Sequence, residues 1–332
     1  MDVTDLLARA LDAGASDLHL AAGQIPMLRL DGELRRMALP PLGQAALIDA
    51  MAAVLDEDQS RQWGQGDELD LALELPGLGR FRLNLFRQLN GAGVTWRLIP
   101  GCIATVDELD LADVFQAVAQ CRDGLILVGG PTGSGKSTTL ATVIDQLNRD
   151  RALHIITLED PVEVIHSSQR SLINQREIGR HCSSFAQGLR SALRQDPDVI
   201  MIGELRDLET IRLALRAAET GHLVLATVHT RSAMSSIDRL VEVFAAEEKP
   251  LVRAMLAESL RLVVAQVLVK RADGGRVAAR EVLVATPAVR NLVREGRMAQ
   301  LCSVMQAGGA QGMRTMEGAL RRLKEKGLIR DW

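Results

Sequence analysis

The sequence predicts an α/β protein with two parts, a small domain built on an antiparallel sheet and a larger domain built on a parallel, doubly wound sheet. The first part is indicated by three segments between residues 69 and 98, in which apolar and polar side chains alternate. The second is indicated by short apolar runs that alternate with helical segments beyond residue 111. One of these runs leads directly into a glycine-rich loop that a helix follows.

Residues 1–100 carry the pattern of the smaller domain. Apolar side chains recur at helical spacing from Val3 to Leu11, which predicts an N-terminal helix. Asp31-Gly32 is a hairpin-type turn between predicted strands at 27–30 and 33–36. The alternating segments complete the sheet, each with one wet face, and they lie at 69–75, 81–85 and 94–98.

A linker is expected at 101–112, which leaves 113–332 as the second domain. The apolar runs of this domain are typical of buried parallel strands. The segment from about 250 to 332 is predicted to be mostly helix. The predicted strands lie at 125–128, 153–158, 199–202 and 223–227.

Residues 130–138 read Gly-Pro-Thr-Gly-Ser-Gly-Lys-Ser-Thr, between the first of these strands and a predicted helix at 138–148. This is the complete spacing of a phosphate-binding loop. Glycines let backbone N–H groups turn towards phosphate oxygens, and the helix N-terminus adds partial positive charge. We therefore expect ATP or GTP here, with Lys136 on the β- and γ-phosphates and Ser137 on Mg²⁺. The residues assigned to nucleotide binding are Gly130, Pro131, Thr132, Gly133, Ser134, Gly135, Lys136, Ser137 and Thr138.

Three further segments have acids or histidines at the ends of predicted strands. Glu159 and Glu163 follow the second strand, where acids can orient an attacking water or bind a metal. Glu204 follows the third strand, a position from which acids hold Mg²⁺ in phosphate-loop enzymes. His222 and His229 flank the fourth, which makes a phosphate sensor as good an interpretation as two ordinary histidines. For the acids, polar strand ends are the alternative.

Composition restricts the partners and the location. The net charge is −3, aromatic residues make up 2% and there is no Tyr, so nucleic acid is not an expected partner. No Cys-x-x-Cys pair occurs among the four scattered cysteines, so zinc is not expected. No apolar run approaches a membrane span, and the acidic N-terminus is unlike a signal peptide, which predicts a cytoplasmic location.

Taken together, these segments resemble the bacterial type II/IV secretion ATPase superfamily, and most closely its type IV pilus retraction ATPases, the PilT or twitching-motility family. The resemblance covers almost the whole chain. Besides the Walker A loop, it rests on Gly-Ala-Ser-Asp-Leu-His-Leu at 14–20 and on an acidic box at 157–163. It also rests on a Walker B segment at 190–207, a histidine box at 220–229 and Ala-Val-Arg-Asn-Leu-Val-Arg-Glu at 288–295.

The resemblance implies an N-terminal PAS-like domain, a RecA-like ATPase core and C-terminal helices, assembled as a homohexameric ring that uses ATP and Mg²⁺. Closure of the N-terminal domain on the nucleotide would let hydrolysis drive a rigid-body rotation. The implied activity is the retraction of type IV pili through an inner-membrane platform protein. The implied location is cytoplasmic, with the motor docked peripherally on the pilus machinery at the inner membrane.

The resemblance also implies roles for individual residues. Glu163 matches the catalytic glutamate that polarises water, and Glu204 matches the Walker B acid that acts on Mg²⁺. His229 matches the histidine close to the γ-phosphate. Glu159 belongs to the acidic box, and His222 opens the histidine box, where we expect both to contribute to nucleotide binding.

Arginines of the smaller domain are the remaining candidates. Arg82 and Arg97 resemble the N-domain arginines that reach phosphates, where they would neutralise charge in the transition state. Arg80 and Arg87 lie in the same hairpin and are rivals for this role. At least one or two of these four are expected only to solvate the wet face of a strand.

Several alternatives stay open at this point. Pilus-assembly and type II secretion ATPases share the core but usually carry a longer N-terminal extension and a four-cysteine zinc module. An auxiliary retraction paralogue is suggested by Arg231, where a small polar residue is expected, and by the short C-terminal tail. A nucleic-acid translocase shares the RecA-like core, but the acidic and histidine boxes oppose this alternative. A nucleotide-binding adaptor would have lost catalysis, which the presence of Lys136, Glu163 and Glu204 opposes.

The segment at 288–295 also has two interpretations. It resembles the helix that the family links with retraction. Its apolar residues Val289, Leu292 and Val293 share one helical face, which suits ordinary core packing and partner docking equally well.

Overall fold

The computed structural model describes residues 2–330, and the chain divides into two compact units, Met1–Cys102 and Ile103–Trp332. The division falls inside the predicted linker at 101–112. Each unit has its own sheet and its own hydrophobic core. No helix among the described residues is both long enough and apolar enough to cross a membrane.

In the first unit, residues 2–102 form a six-stranded antiparallel sheet with three helices, and the predicted N-terminal helix, hairpin and alternating strands are all present. Its helices are α1 (Val3–Asp12), α2 (Gln44–Ala52) and α3 (Glu57–Gln65). Its strands are β1 (Asp17–Ala21), β2 (Met27–Leu30), β3 (Glu33–Arg36), β4 (Leu69–Leu75), β5 (Gly79–Gln88) and β6 (Gly91–Leu98). They lie in the order β3-β2-β1-β6-β5-β4.

One face of this sheet carries the core of the unit. Alternate residues such as Leu18, Phe81 and Trp96 are fully buried, whereas Arg82, the strand neighbour of Phe81, is partly exposed. Phe81 and Trp96 meet edge to face, with ring centroids 5.9 Å apart. The alternation leaves the other face for polar side chains, among them Arg82 and Arg97.

The second unit is a seven-stranded, mostly parallel sheet with helices. Its strands are β7 (Gly124–Gly129), β8 (His154–Glu159), β9 (Leu172–Glu177), β10 (Val199–Ile202), β11 (Leu223–Val228), β12 (Leu260–Lys270) and β13 (Arg276–Val284). Its helices are α4 (Ala112–Ala119), α5 (Lys136–Asp150), α6 (Phe185–Ala192), α7 (Leu208–Glu219), α8 (Ala233–Glu242), α9 (Lys249–Ser259), α10 (Pro287–Glu295), α11 (Leu301–Ala307) and α12 (Met316–Glu325).

The strand order β13-β12-β7-β11-β10-β8-β9 makes every neighbouring pair parallel except the antiparallel pair β12–β13. All residues of β7, β10 and β11 are buried. Because both faces of the central strands are covered, polar groups that act on a ligand must lie at the ends of the strands. The four strands predicted for this domain are confirmed within a residue or two.

The prediction of a mostly helical segment from about 250 is wrong between residues 260 and 284. There β12 and β13 form a long hairpin, and helix resumes only at α10. The apolar run at 262–265 pairs in parallel with β7 and is buried on both sides. A short apolar run has the same pattern in a buried helix and in a buried strand, so its spacing alone could not decide between them.

Candidate nucleotide-binding site

The glycine-rich loop connects the end of β7 to the start of α5 at Lys136, two residues earlier than the predicted helix begins. Gly130 has a φ of 156°, and a Cβ there would lie 2.6 Å from the backbone oxygen of Gln266, so only glycine fits. Gly135 at the N-cap of α5 has a φ of 86° and offers no side chain to cap the helix. The backbone N–H groups at this helix start are therefore not capped by a side chain, which is the arrangement that binds phosphate.

The amine of Lys136 lies inside the loop. Its Nζ donates hydrogen bonds to the carbonyl oxygens of Gly130 at 2.8 Å and Pro131 at 3.0 Å. Burial lowers the pKa of this amine below its usual value, and the negative charges of Glu204 and Glu163 oppose that shift. The structure thus brings both predicted carboxylates within electrostatic reach of the lysine.

The remaining loop residues differ in exposure. Pro131, Thr132, Gly133, Ser137 and Thr138 are exposed, as a ligand cradle requires. Ser134 is buried, and its Oγ has no hydrogen-bond partner. The Ser137 hydroxyl and the Glu204 carboxylate are oxygen donors of the kind that Mg²⁺ prefers, so this pair fits the predicted metal.

Glu204 and His229 follow the neighbouring parallel strands β10 and β11, and strand direction brings their side chains together. Glu204 Oε2 lies 2.6 Å from Arg206 Nη2 and 3.2 Å from His229 Nε2. Burial opposes ionisation of Glu204, but the hydrogen bond from Arg206 and the neighbouring His229 outweigh it and hold the pKa of the carboxyl below its usual value. Glu204 is therefore ionised at neutral pH, as a ligand of Mg²⁺ must be.

The acidic box divides into two environments. Glu159 ends β8, and its Oε1 accepts hydrogen bonds from Thr157 Oγ1 at 2.6 Å and Gln175 Nε2 at 3.2 Å. Glu163 is half-buried in the following loop and acts on Lys136 through its charge. Thr157 and Gln175 thus hold Glu159 in place, whereas Glu163 belongs to the charged cluster at the loop.

His222 lies at the opposite edge of the sheet. It precedes β11, whose first residue pairs with Gly124 at the start of β7, so the six-residue strand separates it from His229 by about 20 Å. Its Nδ1 lies 3.0 Å from the carbonyl oxygen of Ala217. His222 therefore lies away from the loop of its own subunit, and its assignment to nucleotide binding stays a prediction. Two histidines at the two ends of one parallel strand cannot reach the same edge.

The arginine candidates lie in the first unit. Arg82 and Arg97 stand directly opposite each other on β5 and β6, which places them on the same face of the sheet. Arg82 Nη2 lies 2.6 Å from Asp70 Oδ2, and Arg97 Nε lies 2.9 Å from Asp17 Oδ1. Both carboxylates hold the guanidinium groups in place.

The two rival arginines differ from each other. Arg80 lies two residues before Arg82 on β5 and so shares its face. Arg87 stacks on the Trp63 ring, with its guanidinium carbon 4.6 Å from the centroid, and donates a hydrogen bond to the Trp63 carbonyl oxygen. Arg87 is therefore engaged in packing α3.

The segment at 288–295 lies in α10, and Val289, Leu292 and Val293 are buried in the core of the second unit. This agrees with the core-packing interpretation of these three residues. The exposed side of α10 is polar and includes Asn291 and Arg294.

One polar residue of the site escaped the sequence analysis. Gln266 on β12 is 1% exposed and bonds both to the loop and to α5. Its signal is a lone amide in the middle of an apolar run, but the spacing of that run suits a buried helix equally well. A strand interpretation would have pointed to this residue, because a buried amide in a strand needs partners.

Comparison with known proteins places the chain in a family. The profile of the family described as Type II/IV secretion system protein matches residues 1–313. The chain is 52% identical over 329 residues to the type IV pilus retraction ATPase PilT of Pseudomonas aeruginosa, a match that covers 99% of this chain and 96% of the relative. It is 49% identical to a twitching motility protein of Neisseria gonorrhoeae, over 92% and 82% of the two chains.

A solved structure agrees. The crystal structure of the pilus retraction motor PilT with bound ADP superimposes with a TM-score of 0.88 at 40% identity, over 99% of this chain and 95% of that one. This similarity confirms the predicted fold class, a small N-terminal domain followed by a RecA-like ATPase core. The chain therefore belongs to the Type II/IV secretion system protein family and, within it, to the type IV pilus retraction ATPases.

Proposed function

We propose that this chain is an ATP-hydrolysing motor that powers the retraction of type IV pili, as its relatives' names describe for them. The observation that carries the proposal is the charged cluster at the phosphate loop. There Lys136 lies under the influence of Glu163 and Glu204, and Glu204 contacts His229. Binding of Mg-nucleotide alone would account for Glu204, whereas the second acid, Glu163, and His229 suit hydrolysis.

Each residue of the cluster has a proposed role. The loop N–H groups hold the α- and β-phosphates of ATP, and Lys136 exchanges the carbonyl oxygens of Gly130 and Pro131 for phosphate oxygens. Ser137 and Glu204 hold Mg²⁺, which would neutralise charge on the β- and γ-phosphates. Glu163 orients a water molecule for attack on the γ-phosphate and accepts its proton.

His229 is proposed to sense whether the γ-phosphate is present. Its Nε2 faces Glu204, and Glu204 is also bonded to Arg206. When the charge at the site changes, His229 can give up its contact with the Glu204 carboxylate and bind a phosphate oxygen instead. The contact between Glu204 and His229 would then differ between the ATP and ADP states.

Arg82 and Arg97 are proposed to supply positive charge to the phosphates in the assembled ring. The support is their position side by side on the polar face of the sheet, each with a carboxylate that it can exchange for a phosphate oxygen. The assembly is proposed to be a homohexamer, docked on the cytoplasmic side of the inner membrane against the pilus platform protein. Successive closure of subunits around the ring would turn hydrolysis into movement.

Deletion in the native host, with pili counted by electron microscopy and twitching measured on agar, tests the proposal. We expect hyperpiliated cells that do not twitch, restored by the wild-type chain and not by Glu163→Gln. Bald cells would indicate that the protein drives pilus assembly and not retraction, and normal piliation would indicate an auxiliary role. Absence of ATP hydrolysis by the purified hexamer would contradict the motor itself.

A further inference from the structure

Gln266 packs against the backbone of the phosphate loop. Strand β12 pairs with β7 up to Ala265 opposite Gly129, so Gln266 comes where the loop begins. A Cβ on Gly130 would meet the backbone oxygen of Gln266, and a Cβ on Gly135 would lie 3.2 Å from its Nε2. The loop therefore lies in close contact with this residue, and at Gly130 there is no room for a side chain between them.

The amide of Gln266 makes two buried hydrogen bonds. Its Nε2 donates to the carbonyl oxygen of Ser134 at 2.6 Å, and its Oε1 accepts from Thr139 Oγ1 at 2.9 Å. Both partner residues are buried. Chemistry fixes the orientation of the amide, because a carbonyl oxygen can only accept and would repel the amide oxygen.

The bond to Ser134 has a consequence for the face that binds phosphate. The carbonyl of Ser134 and the N–H of Gly135 belong to one planar, trans peptide, in which the two groups point in opposite directions. A carbonyl held inward by Gln266 therefore turns the N–H of Gly135 outward. The second bond ties the same amide to the first turn of α5, so the loop and the helix start keep a constant relation.

We propose that Gln266 is a positioning residue of the nucleotide site, which keeps the phosphate loop in its binding shape before any nucleotide arrives. The inference rests on the proposed function of this loop. It assigns to the β12–β13 hairpin, 132 residues away in sequence from Ser134, a direct mechanical link to the phosphates. Gln266 would act on the nucleotide indirectly, through the Ser134 carbonyl of the loop and the Thr139 hydroxyl of α5.

Gln266→Met tests this, because methionine keeps the length and shape of the side chain and removes both hydrogen bonds. ADP affinity of the full-length protein is measured by calorimetry, together with KM and kcat for Mg-ATP and the Tm. We expect ADP affinity to fall about tenfold and KM to rise by a similar factor. We expect kcat to change less than about threefold, because Glu163 and His229, the groups proposed to act on the γ-phosphate, are left in place.

Asn148→Leu is the matched control. Asn148 is another fully buried amide with two hydrogen bonds. Its Nδ2 donates to the Ser167 carbonyl oxygen at 2.8 Å, and its Oδ1 accepts from the backbone N of Gln169 at 2.9 Å. Asn148 lies on α5, the helix that follows the phosphate loop, about 18 Å along the helix axis from Lys136. We expect a comparable drop in Tm and an ADP affinity within about twofold of wild type.

Two outcomes would overturn the proposal: wild-type ADP affinity in Gln266→Met, or an equal loss in Asn148→Leu. If Gln266→Met does not fold, the pair Thr139→Val and Thr139→Ser decides. Valine removes one of the two bonds and serine keeps it, so equal ADP affinity in both variants would also overturn the proposal. A wild-type protein that binds ADP but does not hydrolyse ATP would refute the motor function and leave this comparison intact.

Discussion

The two edges of the parallel sheet carry similar residues and hold them differently. At the carboxyl edge, β7 leads into the phosphate loop, and Glu204 and His229 follow β10 and β11. At the amino edge, the same three strands are preceded by Asp123, Asp198 and His222. An acid or a histidine therefore stands at both ends of β10 and of β11.

Polar groups at the amino edge serve the fold. Asp198 accepts a hydrogen bond from the backbone N of His154 at 2.8 Å, and Asp123 pairs with Arg261. At the carboxyl edge the charged groups act on one another, since the negative charges of Glu204 and Glu163 act on Lys136 and Glu204 contacts His229. Residue type does not distinguish the edges. Strand direction does, because helix N-termini with their open N–H groups gather at the carboxyl edge.

The largest effect is expected from a substitution that changes only the carboxyl edge. Glu163→Gln should lower turnover at saturating Mg-ATP by about a hundredfold or more, because an amide cannot accept the proton of the attacking water. ATP binding should remain. Asp123→Asn at the amino edge is the control, with turnover within about twofold of wild type. Near-normal turnover in Glu163→Gln would remove this residue from its proposed role.

Lys136→Ala tests the binding half of the same edge. Loss of a charge-assisted contact to phosphate should weaken ADP affinity by at least about tenfold, measured by titration calorimetry. Arg149→Ala is the control, since Arg149 is a cation near the other end of the same helix, paired with Asp145. Equal affinity in Lys136→Ala and wild type would contradict the assignment of the loop.

The two histidines compare the edges directly. His229→Gln should lower kcat by about tenfold, because the contact with Glu204 changes, whereas His222→Gln should leave kcat within about twofold. Both substitutions keep a hydrogen-bonding side chain of similar size. Equal losses of kcat would mean that His222 also acts in catalysis. They would argue that the assembled ring brings the amino edge of one subunit to the nucleotide site of another.

The smallest expected effect comes from an ion-pair cluster that serves only the fold. Asp113 pairs with Arg314 at 2.6 Å and with Arg322 at 3.2 Å, and so ties the start of α4 to α12. Asp113→Asn should lower the Tm by only a few degrees, because partly exposed pairs contribute little, and leave ADP affinity unchanged. A change in ADP affinity would show that charges outside the carboxyl edge also control the site.

The pH dependence of this cluster has a definite sign. Partial burial raises the pKa of Asp113, but hydrogen bonds from Arg314 and Arg322 outweigh that effect and hold the pKa below its usual value of 3.8. A lowered pKa in the folded state stabilises the fold at higher pH, and the stabilisation is lost as pH falls through the folded value. The Tm difference between wild type and Asp113→Asn should therefore shrink when the pH is lowered below about 4. A constant difference would assign the effect to packing.

Local sequence was sufficient for the phosphate loop, the hairpin at Asp31-Gly32 and the strands β7, β8, β10 and β11, because each depends on residues a few positions apart. It also identified Glu163, Glu204 and His229 as members of one site, since acids and histidines after parallel strands meet at one edge. The roles that came with the resemblance, including those of Arg82 and Arg97, remain proposals about the assembled motor.

Tertiary structure alone decided three points. β12 is a strand because β7 lies beside it to accept the pairing, and no local pattern contains that partner. His222 is separated from His229 because a strand has two ends. Gln266 supports the loop through contacts that span 127 and 132 residues of sequence. Short-range patterns indicate most of the elements, but long-range pairing made β12 a strand and determines which side chains meet, and pairing appears only when the sheet is assembled.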